Sequence, residues 1–306
     1  MKNYILTIGA ILFLISCGKK EKPIDLEKKQ DTIVANLKEP RVKEVETTIY
    51  DYKQNHEFSE ELDKVLLAKV AANLKINYED IQIDGTSSVS YNDKTAFFVV
   101  AYINKNVKQS SGVEEDELGD FLERIYVFVD KYNGNIIDKE TDNNLGIYEH
   151  EGLKIYKTYI FKKLIQLNET TGAVALSTES STDSRVTLWS DQKFTLIALV
   201  DNKIKKILYE YPMRKTQGES NGGGTFQMET LETIISVSNK KANGFYDLNV
   251  AKTFSYEDEV EEDKEKGIKA KVEPVKFMKE VERIKYNGRI YSFKNDDTYR
   301  FLKDYN

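Results

Sequence analysis

The chain predicts a mainly β fold, an antiparallel β-propeller-like or β-sandwich domain preceded by one helix, a charged tether and an export signal. Three observations carry this. After Asn77 short apolar runs alternate with turn residues, the pattern of strands and hairpins. The 19 Tyr and 14 Phe stand against only four Pro, an enrichment that pleated, half-buried surfaces favour. Helical spacing of apolar residues is strong in just one stretch, near residues 62–74.

At the N-terminus Lys2 is followed by an uncharged run from Tyr4 to Ser16, then by Cys17, the only cysteine. A basic start, a short apolar core and small residues at the cut make an export signal, and the core is too short for a permanent membrane span. Leu14-Ile15-Ser16-Cys17 resembles the lipobox of bacterial lipoproteins. The resemblance implies that residues 1–16 are removed and that Cys17 is acylated, becoming the first residue of the mature chain. No retention aspartate follows at Gly18 or Lys19, which by resemblance to the known sorting pattern implies the outer membrane; Lys19-Lys20-Glu21-Lys22 matches the acidic pair of surface-exported lipoproteins poorly, so the periplasmic face is preferred and the surface stays open.

Residues 17–56 read as the acylated cysteine and a solvated tether, charged from Lys19 onward and broken by Pro23 and Pro40. Fully extended, such a stretch reaches ~100 Å or more. The alternative is an arm packed on the domain through Leu26, Ile33, Val34 and Leu37. Residues 57–77 are expected to hold the amphipathic helix, with Ser59 as N-cap, Glu60 and Glu61 in the first turn, and Leu62, Val65, Leu66, Val70 and Leu74 as its buried stripe.

Residues 78–306 form the expected β-rich domain. Strands are predicted at 95–103, 124–129, 153–167, 173–178, 185–189, 194–200, 204–211, 230–237, 245–254, 281–286 and 290–293. Asn133-Gly134, Asn243-Gly244 and Asn287-Gly288 each predict a two-residue type I′ hairpin, since both turn positions need positive φ. Between Ile83 and Phe293 there is room for five units of ~42 residues, the size of a propeller blade, although a sandwich uses the same hairpins. Two acidic inserts, 113–120 and 257–263, and an irregular glycine-rich loop at 218–226 are expected to interrupt the strands.

Composition narrows the chemistry. Lys and Arg number 45 against 51 Asp and Glu, with the signs mixed, so no concentrated basic face exists to neutralise nucleic acid. Beyond Cys17 no thiol remains for disulfides or thiolate zinc sites. His56 and His150 lie far apart, without HExxH or a Gly-x-Ser-x-Gly elbow, and the glycine run lacks the lysine of a phosphate loop. We therefore expect neither a catalytic set, a cofactor nor a metal; the remaining calcium candidate is the run Glu114, Glu115 and Asp116. Paired carboxylates for glycoside hydrolysis are never excluded by sequence, and Asp247 is their best candidate, read otherwise as a hairpin aspartate bonding backbone amides.

The acylated cysteine, tether and β domain with Asn243-Gly244-Phe245-Tyr246-Asp247-Leu248 near its end resemble propeller-like envelope lipoproteins, a loose group that includes inhibitors of lysozyme-type enzymes. This implies a non-enzymatic, membrane-anchored protein that binds a protein or cell-wall glycan partner. The expected partner-binding loop comprises Ser220, Asn221, Gly222, Gly223, Gly224 and Phe226. Two alternatives stand beside it: a glycan-acting hydrolase using paired carboxylates with Tyr246 and Trp189 as sugar platforms, and a structural subunit of an envelope complex.

Overall fold

A computed structural model describes residues 47–54, 56–59, 62–105, 121–142, 147–148, 154–262, 264, 267, 269–272, 274–294 and 299–302. The signal, Cys17, Glu60, Glu61, His150 and the acidic run at 113–120 lie outside them. The elements are β1 (Thr47–Asp51), α1 (Lys64–Leu74), β2 (Ser87–Ser90), β3 (Thr95–Ile103), β4 (Phe121–Asp130), β5 (Ile136–Thr141), β6 (Ile147–Tyr148) and β7 (Lys154–Ile160). They continue with β8 (Ile165–Gln166), β9 (Gly172–Ser181), β10 (Thr187–Val200), β11 (Lys203–Ser220), β12 (Phe226–Ala242), β13 (Phe245–Val260), β14 (Lys271–Val272) and β15 (Lys276–Ile284).

All strand pairs are antiparallel, and they assemble two sheets, one of five strands (β2-β3-β4-β5, with β6 on β4) and one of ten. The unbroken apolar run of β3 is explained by burial on both faces. Ala96, Phe98 and Val100, with Ile125, Val127 and Val129 of β4, meet α1 on one side. Phe97, Val99, Tyr126 and Phe128 meet Ile160, Val174, Leu176 and Ile197 of the large sheet on the other. Side chains alternate across a strand, so a run without polar breaks marks a layer covered twice.

The helix is shorter than expected and shifted. Asp63, not Ser59, caps it, accepting the Leu66 N–H at 2.9 Å. Ser59 is occupied elsewhere: its hydroxyl donates to the Ser88 carbonyl at 2.6 Å and its N–H to that of Ile160 at 2.7 Å, tying the two sheets together. Val65, placed in the buried stripe by spacing, is 72 % exposed, whereas Leu67 and Ala71 are buried. Lys75 ends the helix in the left-handed region at φ 62°.

The large sheet runs β14-β13-β12-β11-β10-β9-β7, with β15 on β13, β8 on β9 and β1 on β12. Its concave face holds the largest apolar cluster, including Tyr50, Phe161, Phe194, Leu196, Tyr211 and Leu248, all buried. The sheet curls until its ends approach. The Tyr246 N–H donates to Leu167 O at 2.7 Å, and Phe58 bridges Phe161.

Several expectations are corrected. Residues 47–51, assigned to the tether, form β1, because the β-branched and aromatic Thr47-Thr48-Ile49-Tyr50 pairs with β12 and buries Tyr50. No ring of ~42-residue blades forms among the described residues, because β10 to β13 are 14 to 18 residues long and a blade strand is far shorter. The runs at 185–189 and 194–200 join into β10: the polar Ser190 to Lys193 between them is paired on both sides, with β9 and β11. Likewise Glu257 to Glu259, expected in a solvated insert, pair within β13. Residues 290–293 make a single bridge, Tyr286 to Tyr291, and no strand.

Of the three Asn-Gly turns, only Asn243 (φ 48°) and Gly244 (φ 90°) have the type I′ signature of two positive φ values. Gly134 and Gly288 alone are left-handed in the other two, which are longer loops. An unexpected pair, Asp201 (φ 54°) and Asn202 (φ 57°), makes a second such turn between β10 and β11.

Candidate functional site

The curl leaves an open seam, a cleft of about 660 Å³. One wall is β1, through Thr47, Thr48 and Ile49. The facing wall is Lys163, Leu164, Ile165 and Gln166. Val237, Ser238 and Asn239 at the end of β12 close one end with Tyr246, and His56, Glu57 and Phe161 lie at the other. The volume falls in the ordinary range of ligand pockets, ~300–1,000 Å³.

Local packing fixes these walls. The His56 ring stacks on Tyr50 at 4.8 Å and meets the edge of Phe161 at 5.2 Å. Its Nε2 lies 2.9 Å from the Asp51 carbonyl oxygen and 3.3 Å from the Asp51 amide nitrogen, so the ring closes the turn after β1 as donor in one tautomer and as acceptor in the other. Burial pushes the Tyr50 hydroxyl up to about 12. At the opposite end Lys241 pairs with Glu169 and lies 4.8 Å above the Tyr246 ring, so one face of that ring is covered. The Lys241 ammonium holds Glu169 below the usual carboxylate range, and Glu169 in turn raises Lys241.

The expected partner loop lies elsewhere. Ser220 ends β11 and Phe226 begins β12, so the loop proper is Asn221, Gly222, Gly223, Gly224 and Thr225. It is ordered by Asn221, whose Oδ1 accepts the N–H groups of Gly223 at 2.8 Å and Thr225 at 3.1 Å. Gly218 belongs to β11, where a Cβ would come within 2.0 Å of the Gln227 carbonyl oxygen. Phe226 and Val237 stand eleven positions apart on β12, so loop and cleft are separated by roughly 35 Å at ~3.3 Å per residue.

The other singled-out residues disperse. Trp189 pairs with Gln217 on the ribbon near the loop, so it and Tyr246 do not share a platform. Asp247 is 2 % exposed and, contrary to the hairpin reading, pairs with Arg283, whose Nε and Nη2 both lie 2.8 Å from Oδ2. At the end of β4, Asp130, not one of the expected site residues, caps its own turn through the N–H groups of Tyr132 and Asn133. Among the described residues no group of three or more His, Cys, Asp or Glu is placed to hold a metal ion, and no helix is long and apolar enough to cross a membrane.

A polar cluster between the two sheets also escaped the sequence. Asp142, 4 % exposed, accepts the hydroxyls of Tyr126 at 2.5 Å and Tyr209 at 2.9 Å, with Lys206 over both rings. Burial first, and the Asp142 charge next, push both phenols far up. The cluster locks β11 to the small sheet.

The cleft itself was missed because its walls come from segments far apart in the chain. Only the Thr-Thr-Ile-Tyr run of β1 carried a local signal, a strand pattern inside a charged stretch. In comparisons with known proteins the chain has no significant match to any family model, to any curated protein or to any solved structure.

Proposed function

We propose that this chain is a lipid-anchored envelope protein, held through acylated Cys17 in the outer membrane on its periplasmic side, whose β domain binds a macromolecular partner without turning it over. The observation that carries the reading is positional. The first described strand, β1, begins at Thr47, thirty positions after Cys17, and Thr47 lines the cleft. Residues 18–46 span at most ~100 Å when extended, so a partner held in the cleft stays within that distance of the membrane.

Two sheets packed face to face through Phe97, Phe128, Leu176 and Ile197 support the sandwich-like form of the fold over the propeller-like form. A rigid β body with a preformed cleft suits capture, since little ordering is left to do on binding.

The test is metabolic labelling with a clickable palmitate analogue, followed by cross-linking in intact envelopes and gentle detergent extraction. Label on the wild-type chain, loss of label and of membrane sedimentation in Cys17→Ser, and a co-purifying partner are the expected results. An unlabelled chain, or a Cys17→Ser chain that still sediments with membranes, refutes the anchor. A labelled chain that always elutes alone refutes the partner.

A further inference from the structure

We propose that the cleft is a strand-insertion site, which takes a short extended segment of a partner polypeptide and hydrogen-bonds it along both walls. The proposal rests on the cleft being the binding surface of the β domain.

The geometry of the lining carries it. Side chains alternate along a strand, so a ligand lying on the face of a sheet touches residues i and i+2. This cleft is instead lined by unbroken runs, 47–49, 163–166 and 237–239. A ligand that approaches a strand from its edge meets consecutive residues, as at 47–49 of β1 and 165–166 of β8, whereas Val237 is paired on both sides, with Thr47 and Leu248, and closes the end of the gap. On β1 the opposite edge is already taken by β12, through Thr47 with Val237 and Thr48 with Ser236. On β8 the opposite edge is taken by β9, through Ile165 with Ala173 and Gln166 with Gly172. Among the described residues no strand pairing and no backbone hydrogen bond joins 47–49 to 163–166.

Among the described residues two strand edges without a partner therefore flank one gap, that of β1 and the two-residue edge of β8. Unpaired backbone donors and acceptors along a strand edge template another strand. The sheet is closed on both sides of the gap, by the Phe58–Phe161 bridge and by the bond from Tyr246 N–H to Leu167 O, so an inserted strand completes a curl that is open among the described residues.

Side chains define the occupant. Ile49, Phe161, Ile165 and Val237 supply an apolar floor continuous with the concave core. Thr47, Gln166 and Asn239 are exposed at the rim, and Lys163 and Glu57 give it one charge of each sign. A segment of about four or five residues that alternates apolar inward and polar outward, with little net charge, matches this surface. A glycan matches it less well, because a sugar ring needs an open aromatic face, and His56 is stacked on Tyr50 while Lys241 covers one side of Tyr246.

The test uses the full chain in detergent and a capped hexapeptide of alternating Thr and Val, with two isomers N-methylated at either the Thr or the Val amides. Hydrogen exchange of backbone amides is the readout. The parent peptide is expected to slow exchange at both 47–49 and 163–166 by at least about tenfold, and each N-methylated isomer to lose the protection of one run. Equal protection by all three peptides, protection of one run only, or protection by chitotriose in place of peptide overturns the proposal. A chain that retains an envelope partner yet shows no protection with any of the peptides refutes strand insertion alone and leaves partner binding standing.

Discussion

Substituting Arg283 by Met tests whether Asp247 serves the fold. The Asp247 carboxylate is 2 % exposed, and both guanidinium contacts at 2.8 Å go to Oδ2, while Oδ1 is buried without a hydrogen-bond partner. Removing one member of a buried pair costs ~3–5 kcal/mol, because the remaining charge is left uncompensated. The Arg283 side chain is 29 % exposed, so water reaches its end of the pair and the lower figure, about 3 kcal/mol, applies. The double variant Asp247→Leu with Arg283→Met removes both charges and is expected to recover most of that loss. The assay is urea unfolding at neutral pH, read as a shift in midpoint at constant slope. A single variant within about 1 kcal/mol of wild type, or a double variant at least as unstable as the single, would refute the reasoning. A hydrolase carboxylate has no need of this pattern, since its substitution abolishes turnover while leaving the midpoint unchanged.

Three further outcomes follow from particular contacts. Glu229 is 5 % exposed and accepts the N–H groups of Arg300, Phe301 and Leu302 at 2.7, 2.9 and 3.0 Å, so Glu229→Gln is expected to cost ~1.5–3 kcal/mol and to speed amide exchange at 300–302; unchanged exchange there would contradict the clamp. Gly218→Ala forces a methyl against the Gln227 carbonyl oxygen and should destabilise by ~1–3 kcal/mol, measured by thermal unfolding, with a neutral result ruling out the close approach. Tyr50, Tyr126, Tyr209 and Tyr211 all have phenols raised chiefly by burial, so the native state resists their ionisation. Stability is then complete below the unfolded tyrosine value of ~10 and is lost as pH rises above it. Tyrosinate absorbance should show a class that ionises only as the chain unfolds, and a single reversible step near 10 with the fold intact would refute this.

The strands were legible where one local pattern sufficed. Residues 95–103 read as a strand because both faces are buried, and the run needs no partner to be recognised. The helix was legible in type but not in phase. Ser59 has the chemistry of an N-cap, yet a competing pair of hydrogen bonds to Ser88 and Ile160, supplied by segments far away in sequence, draws it out of that role. Local capping preferences of ~1 kcal/mol are easily outweighed by such tertiary contacts. The long ribbon failed in the opposite sense. Polar residues such as Ser190, Asp191 and Gln192 look like a loop, but strand pairing on both sides satisfies their backbone, and Gln192 adds side-chain bonds to Ser177 and Glu179.

The candidate site was illegible for a deeper reason, which also explains why the propeller expectation failed. Hairpins are written locally, in pairs such as Asn243-Gly244, and any antiparallel architecture uses them. What distinguishes a blade, a sandwich and a curled sheet is which strands meet after the hairpins have formed. Here that is decided by contacts such as Thr47 with Val237 and Tyr246 with Leu167, separated by 190 and 79 positions. Among the described residues the seam is defined by a pairing that is not made, and no residue pattern encodes an unmade pair. The edges of β1 and β8 became recognisable as a site only once their other neighbours, β12 and β9, were known, because an edge is free only relative to the partner already in place.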